Sequence, residues 1–336
     1  MSKKVTMAQI AALAGVSQPT VSLVLNGGAD ALRIKATTQE KVLQAAAQLG
    51  YQRANGIISQ HTRRRLALVL DGIFITNDHF INALNEGSNR ATELGLSLNI
   101  MHTGGSAEGR ELTLQELNSG LYAGAIIATN LTCRLDTAFP CPISHVYLNC
   151  IPRDNPNVCA IVPDDYGTTY DLASILAPHY QRPLVVAGDE WMSATLDRCR
   201  ALRDIYLQYG FNISTQDIIF TGWSFKEAYS RTLQFLHDTP HHQLPDIIYC
   251  GSDYLAAAVY QAIYRYGLTI PDDIAVVGFD DQSIAMELDP PLTTAELPYA
   301  QMGALAVELL DQSLNSCTLK NKIHKIKGKF LRRKSA

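Results

Sequence analysis

The chain has 336 residues, 47% of them hydrophobic and 18% charged, which is the make-up of a globular protein large enough for two or three domains. No apolar run approaches the ~20 residues of a membrane span and residues 1–6 lack the apolar segment of an export signal, so a cytoplasmic protein with no membrane partner is expected. Seven cysteines without a Cys-x-x-Cys pair indicate neither a disulfide framework nor a zinc ribbon. The net charge of −4 conceals a segregation: residues 1–65 carry nine Lys/Arg against Asp30 and Glu40, and residues 319–336 carry eight Lys/Arg and no acid. The basic head fits a polyanionic partner, while the basic tail reads as a solvated terminal strand.

In chain order, Thr6 is placed to cap a first helix, Gly15 to stop it with a positive φ, and Ser17 to cap a second helix at once. This is a helix-turn-helix. Ile10, Leu13, Ala14, Val16, Val21, Val24 and Leu25 give the two helices a shared inward face. Gln18, Pro19, Thr20, Ser22 and Leu23 are left outside, a short and polar set that suits entry into a DNA groove. A third helix, capped by Thr37 or Thr38 and carrying Val42, Leu43, Ala46 and Leu49, ends at Gly50. Residues 51–65, closing in three arginines, form a linker.

From residue 66 the pattern changes to short apolar runs alternating with amphipathic stretches. Strands are expected at 66–70, 96–101, 124–129, 144–148, 159–162, 184–187, 218–221, 247–250 and 274–279. Helices are expected at 80–94, 109–120, 166–176, 197–209, 225–237, 253–266 and 299–312. Such alternation makes parallel βαβ units, whose ligands bind beyond the carboxyl ends of the strands.

Three features lie at those ends: Gly278-Phe279-Asp280-Asp281, Asp197-Arg198 opening a helix, and Gly222-Trp223-Ser224. A carboxylate, a guanidinium and an indole together suit a polyhydroxylated ligand, through bidentate hydrogen bonds and stacking. Each also has a plain structural role: helix capping for Asp280 and Asp281, a surface ion pair for Arg198, core packing for Trp223. Asp164-Asp165 reads as a cap for the helix at Tyr166, and His237, His241 and His242 as an exposed polar loop rather than a metal site. No phosphate loop, nucleophile elbow, His-Glu-x-x-His or Gly-x-Gly-x-x-Gly occurs, so no catalysis, cofactor or metal is expected.

Five motifs together resemble the lactose/galactose-repressor family of bacterial transcription regulators. They are Ala11-x-x-Ala14-Gly15-Val16-Ser17-x-x-Thr20-Val21-Ser22, Thr38-x-x-x-Val42, Leu49-Gly50-Tyr51, Val276-Val277-Gly278-Phe279-Asp280-Asp281 and Pro290-Pro291-Leu292-Thr293-Thr294. The resemblance covers essentially the whole chain. It implies an α/β protein with an N-terminal three-helix headpiece (1–50), a hinge (51–65) and a two-lobed sensor core like a periplasmic binding protein (66–336). The N-lobe would take about 66–162 and 291–318, and the C-lobe about 163–290 and 319–336.

Carried over by position, the family's effector arginine falls on Arg198 and its effector aspartate on Asp280. Asn149 stands where some members have a polar cleft residue and Trp223 where some have a stacking tryptophan. Ser252-Asp253 replaces an Asn-Asp pair, and Asp78-His79-Phe80 replaces the start of Asn-Pro-Phe-Phe, so Asp78, His79, Phe80 and Ser252 complete the implied effector set. On the DNA side Leu23 stands where members often carry arginine. Leucine cannot read guanine but can meet a thymine methyl. In the connector, Ile57 or Ile58 replaces the family's minor-groove leucine wedge, with Tyr51 before it and Gly56 weakening the helix by ~1 kcal/mol.

The expected protein is a homodimeric regulator on the nucleoid, a repressor of a carbohydrate-utilisation operon, whose double-stranded, pseudo-palindromic operator is released or held according to a sugar effector. Ser17, Thr20, Ser22, Asn26 and basic side chains would position on phosphates, with Gln18 and Pro19 facing bases and Thr6 in the same DNA-binding set. Other effectors for the same architecture are a nucleobase or a phosphorylated metabolite. A solute-binding protein would share the core but has no use for the head.

Overall fold

The computed structural model describes residues 6–26, 34–49, 65–72, 78–316 and 319–336. The chain divides into two compact units between Arg63 and Arg64.

In the first unit, α1 (Met7–Ala14), α2 (Gln18–Asn26) and α3 (Ala36–Gln48) surround a small core of Ile10, Ala11, Val21, Val42, Ala45 and Ala46. The Thr6 N–H donates to Gln9 Oε1 at 2.9 Å, and Gly15 (φ 68°) closes α1. Ser17 Oγ then accepts the Thr20 N–H at 3.3 Å, which starts α2 at a bend of 105°. These are the expected turn chemistry and the angle of a helix-turn-helix. Two expectations need correction. Leu13 is 50% exposed, because the inward stripe of this short helix centres on Ile10, Ala11 and Ala14 and leaves Leu13 on its flank. Thr37 and Thr38 lie inside the first turn of α3, where the Thr38 N–H donates to Lys35 O at 2.8 Å. Gly50, Tyr51, Gly56, Ile57 and Ile58 lie outside the described residues.

The second unit begins with β1 (Arg65–Leu70), α4 (Asp78–Glu93), β2 (Ser97–His102), α5 (Ala107–Leu117), β3 (Gly124–Leu135), β4 (His145–Pro152) and β5 (Ala160–Pro163). It continues with α6 (Asp165–Leu176), β6 (Pro183–Ala187), α7 (Ser193–Gln208), β7 (Ile218–Phe220), α8 (Phe225–Asp238), β8 (Ile247–Cys250), α9 (Asp253–Tyr266) and β9 (Ala275–Val277). It closes with α10 (Ile284–Glu287), β10 (Thr294–Ala295), α11 (Tyr299–Ser316), β11 (Ile323–Ile326) and β12 (Phe330–Leu331). The strands form two parallel sheets, one in the order β11-β5-β4-β3-β1-β2 and one in the order β7-β6-β8-β9. Central β1 is apolar and buried along Leu66–Leu70, as a strand covered on both faces must be, whereas the edge strand β2 is largely exposed. No single helix among the described residues is long and apolar enough to cross a membrane.

The two sheets define two lobes. The chain passes from the first lobe to the second at Asp164, returns before α11, and crosses again near Gly328. Backbone bonds tie these crossings together: Asp164 N to Ile326 O at 2.7 Å and Glu296 N to Lys329 O at 2.8 Å.

The tail departs from expectation. The resemblance puts residues 319–336 in the C-lobe, yet β11 joins the edge of the first sheet beside β5. The remainder then enters the second lobe. β12 pairs antiparallel with β10, and buried Ser335 donates Oγ–H to Val276 O at 2.6 Å while its carbonyl accepts the Val276 N–H at 2.9 Å. The tail is therefore not a solvated strand, because β11 pairs with β5, β12 with β10, and Ser335 with Val276 of β9. α7 also begins earlier than the expected residue 197, at Ser193, so Arg198 sits in its second turn.

Candidate functional site

At the carboxyl ends of the second sheet, helices α6 and α7 bring a carboxylate and a guanidinium together underground. Asp164 caps α6, its Oδ1 accepting the Gly167 N–H at 3.1 Å, as its position before Tyr166 implies. Asp165 does not cap. It turns inward, 3% exposed, and its Oδ1 accepts from Arg198 Nε at 2.8 Å and Nη2 at 2.7 Å. Arg198 Nη1 donates to Gly251 O and lies 3.6 Å from Asp280 Oδ1, while its flat face rests 3.6 Å from the Phe279 ring centroid. Arg198 is therefore a buried hub rather than a surface ion pair.

Asp280 and Asp281 are not helix caps. Both have left-handed backbone, φ 110° and 55°, in the turn that follows β9, and α10 starts only at Ile284. Burial, opposed by Arg198, pushes the Asp280 carboxyl up to about 7. Asp253 lies behind it. Burial, reinforced by Asp280, pushes its carboxyl up to about 8, although the Gln282 N–H and the Thr294 hydroxyl both donate to it at 2.7 and 2.6 Å. Asp281 is braced from the tail by Arg333 Nη2 at 2.6 Å.

Trp223 (φ 58°) sets its indole against Gly188 at the β6 end and donates Nε1–H to Met192 Sδ at 2.9 Å. A Cβ on Gly188 would lie 2.0 Å from the ring, so only glycine permits this approach. Asn149 (φ 64°), fully buried within β4, donates Nδ2–H to Tyr299 Oη at 2.7 Å and accepts from Thr132 Oγ1 at 2.7 Å. Tyr299, at the start of α11, meets Phe80 edge-on at 6.2 Å. Burial and the neighbouring Asp280 push its hydroxyl upward. Across the cleft, Ser193 Oγ of the second lobe donates to Thr132 O of the first at 3.0 Å.

Phe80, Asn149, Arg198, Trp223 and Asp280 thus converge from both lobes. Among the described residues, the non-glycine positions with positive φ are Asn149, Trp223, Asp280 and Asp281, all of them here. Unusual backbone costs of order 1–3 kcal/mol per residue and gathers at binding sites. Ser252 has a different task. Its Oγ accepts the Leu255 N–H at 3.2 Å and caps α9. Asp78 and His79 open α4, but their side chains lie outside those described. Sequence reasoning missed Asp165, Asp253, Thr132 and Tyr299. The Asp164-Asp165 doublet at a strand end was a usable signal for the first, and nothing local marked Tyr299.

His237 packs edge-on against Tyr266 at 5.0 Å, and no His, Cys, Asp or Glu group among the described residues is arranged to hold a metal. A wider concavity of about 250 Å³ lies at the opposite ends of β6 and β7. Its charged groups serve the fold: Arg182 Nε donates to Leu244 O, and Asp217 Oδ2 accepts from Ser214.

In the first unit, Gln18 and Pro19 are exposed, Leu23 is 43% exposed, and Thr20 and Ser22 are half-buried. Thr6 and Ser17 cap their helices, and the Asn26 side chain lies outside those described.

Residues 6–54 match the family described as bacterial regulatory proteins, lacI family, and residues 176–336 match the periplasmic binding protein-like domain. The ribose operon repressor of Escherichia coli K12 is 28% identical over 94% of both chains. The chain joins a lacI-type DNA-binding domain to a periplasmic-binding-protein-like domain. The sucrose operon repressor of E. coli is 28% identical over 89% of this chain and 91% of that one. A CelR–cellobiose complex (TM-score 0.68, 23% identity, 99% of this chain and 100% of that one) shares the fold. So does the lac repressor bound to ONPG (TM-score 0.68, 24% identity, the same coverage). The ribose and sucrose relatives are both named as operon repressors.

Proposed function

We propose that this protein is a sugar-responsive transcriptional repressor, acting without catalysis, as a cytoplasmic homodimer on a pseudo-palindromic operator. One observation carries the reading: a helix-turn-helix with an exposed reading face is joined in one chain to a cleft where a carboxylate–guanidinium cluster and an indole meet at strand ends. Relatives named as ribose and sucrose operon repressors, and a structural neighbour in complex with cellobiose, support a sugar as effector. A solved lac repressor dimer bound to operator, which shares the fold at a TM-score of 0.67, supports the two-fold assembly.

Residues 1–50 would then bind DNA, 51–65 connect, and 66–336 sense and dimerise. In this mechanism the sugar's hydroxyls bind Asp280, held by Arg198, while its apolar face lies against Trp223. Phe80, Asn149 and Tyr299 close from the first lobe. Because Asn149 and Tyr299 sit on one side of the cleft and Asp280 on the other, a bound sugar favours one lobe arrangement. That preference is passed to the DNA-binding unit through the connecting segment, with a coupling of typically ~1–3 kcal/mol. Ser17, Thr20 and Ser22 contact phosphates, and Gln18, Pro19 and Leu23 face bases.

Fluorescence anisotropy with duplex DNA from upstream of the protein's own gene cluster tests this. Tight binding that weakens steeply with salt is expected, and the absence of salt-sensitive, sequence-specific binding would sink the reading.

A further inference from the structure

We infer that the effector buries a small uncharged end, a carbon bearing one hydroxyl, in a pocket beneath Trp223, and that phosphorylated counterparts are excluded. This rests on the reading of the chain as an effector-gated regulator and narrows the effector's class.

The pocket lies between α6, α7 and the ends of β6 and β8, and encloses about 30 Å³. One water needs roughly 10–15 Å³ on that measure, so the space suits two water-sized groups, such as a hydroxymethyl, and is too small for a phosphoryl group. Its walls are mainly apolar, including Val185, Ala187, Leu202, Trp223 and Phe279. Two hydroxyls interrupt them. Thr169 and Thr195, 4% and 2% exposed, line the pocket, and neither Oγ1 has a hydrogen-bond partner. Thr169 stands one turn after Asp165 on α6 and Thr195 one turn before Arg198 on α7, so both hydroxyls border the ion pair itself. Buried hydroxyls without partners are uncommon and call for an explanation. A ligand hydroxyl, donor and acceptor at once, can serve both.

Charge gives the same answer. Arg198 is the cation lining this pocket, and its nitrogens already serve Asp165, Gly251 O and Asp280, while its face is covered by Phe279. Asp165 already balances its charge and Asp280 holds its remaining nitrogen, so a phosphate dianion would find no uncompensated positive charge among these residues.

The test measures thermal unfolding and operator anisotropy of the full-length protein with D-ribose, D-fructose and D-glucose, their terminal phosphates and their terminal deoxy analogues. At least one free sugar is expected to raise Tm and change operator affinity. Its phosphate should do neither, and its deoxy form should bind about three- to tenfold more weakly. Thr169→Val and Thr195→Val should weaken the free sugar by a similar factor and leave the deoxy form within twofold. If both variants fail to fold, the deoxy comparison on the wild-type protein still decides. A phosphate that binds as well as its free sugar, a deoxy form that loses nothing, or no response to any free sugar overturns the inference. Failure of the ligand-free protein to bind operator would instead strike the regulator reading beneath it.

Discussion

A single oxygen of Asp165 receives both Nε and Nη2 of Arg198, at 2.8 and 2.7 Å, with both side chains at least nine-tenths buried. The partnership orients the guanidinium so that its remaining nitrogen faces Gly251 O and Asp280. Removing one member of a buried pair typically costs 3–5 kcal/mol, because the other is left charged in a poor solvent. Asp280 remains as second partner, so Asp165→Ala is expected to lower stability by about 3 kcal/mol. Urea denaturation checks it, and a midpoint equal to wild type would show that the pair is not integral.

Gly188→Ala places a Cβ where the Trp223 ring lies. The indole must leave the β6 end and break its contact with Met192 Sδ. The expected result is a red-shifted tryptophan emission and loss of the sugar response, with operator binding kept. Since Trp191 is already 63% exposed, the change in emission reports on Trp223. Unchanged emission would mean that the ring is not seated as described.

The pH dependence of stability follows from Asp280, raised to about 7, and Asp253, raised to about 8. In the unfolded chain both titrate near pH 4. Between pH 4 and about 8 the folded protein therefore holds more protons than the unfolded one, and its stability falls as pH rises, by at most about 1.4 kcal/mol per pH unit per group. Thermal melts of the wild-type protein and Asp253→Asn across pH 5–8 check this. The wild-type decline should be steeper than that of the variant. Parallel curves would show that Asp253 does not titrate in this window.

Leu23 is exposed on α2. If it reads a thymine methyl, Leu23→Ala will weaken specific operator binding by about 1 kcal/mol and leave the salt slope unchanged, since no phosphate contact is lost. Loss of affinity equally on random DNA would place Leu23 outside base recognition.

Arg333 joins Asp281 at 2.6 Å and donates to Leu292 O at 2.9 Å. Arg333→Ala should loosen the Asp280-Asp281 turn, lowering stability by about 1 kcal/mol and weakening the sugar response more than operator binding. An effect on operator binding alone would contradict this.

Local chemistry in the sequence was enough for much of the fold. The Thr6, Gly15 and Ser17 signals set α1 and α2, and fully apolar runs such as 66–70 marked buried parallel strands. Leu13 escaped because a two-turn helix leaves the orientation of its stripe to its partners. β11 escaped because Ile323 and Ile326 stand among lysines, and only the open edge of β5 gives that segment a place. At the site, Arg198, Trp223 and Asp280 were legible from strand-end position and resemblance. Asp165 was read as a cap because its neighbour Asp164 is one. Tyr299 was invisible, since its partner Asn149 is 150 residues away in the chain.

The threading of Ser335 alongside Val276 also dictates an order of events during synthesis. Translation delivers the helix-turn-helix first and residues 332–335 after every other described part of the cleft. Until they emerge, Val276 of β9 lacks its backbone partner and Asp281 its arginine. A nascent chain can therefore fold its DNA reader early, but it can answer a sugar only once those residues have left the ribosome.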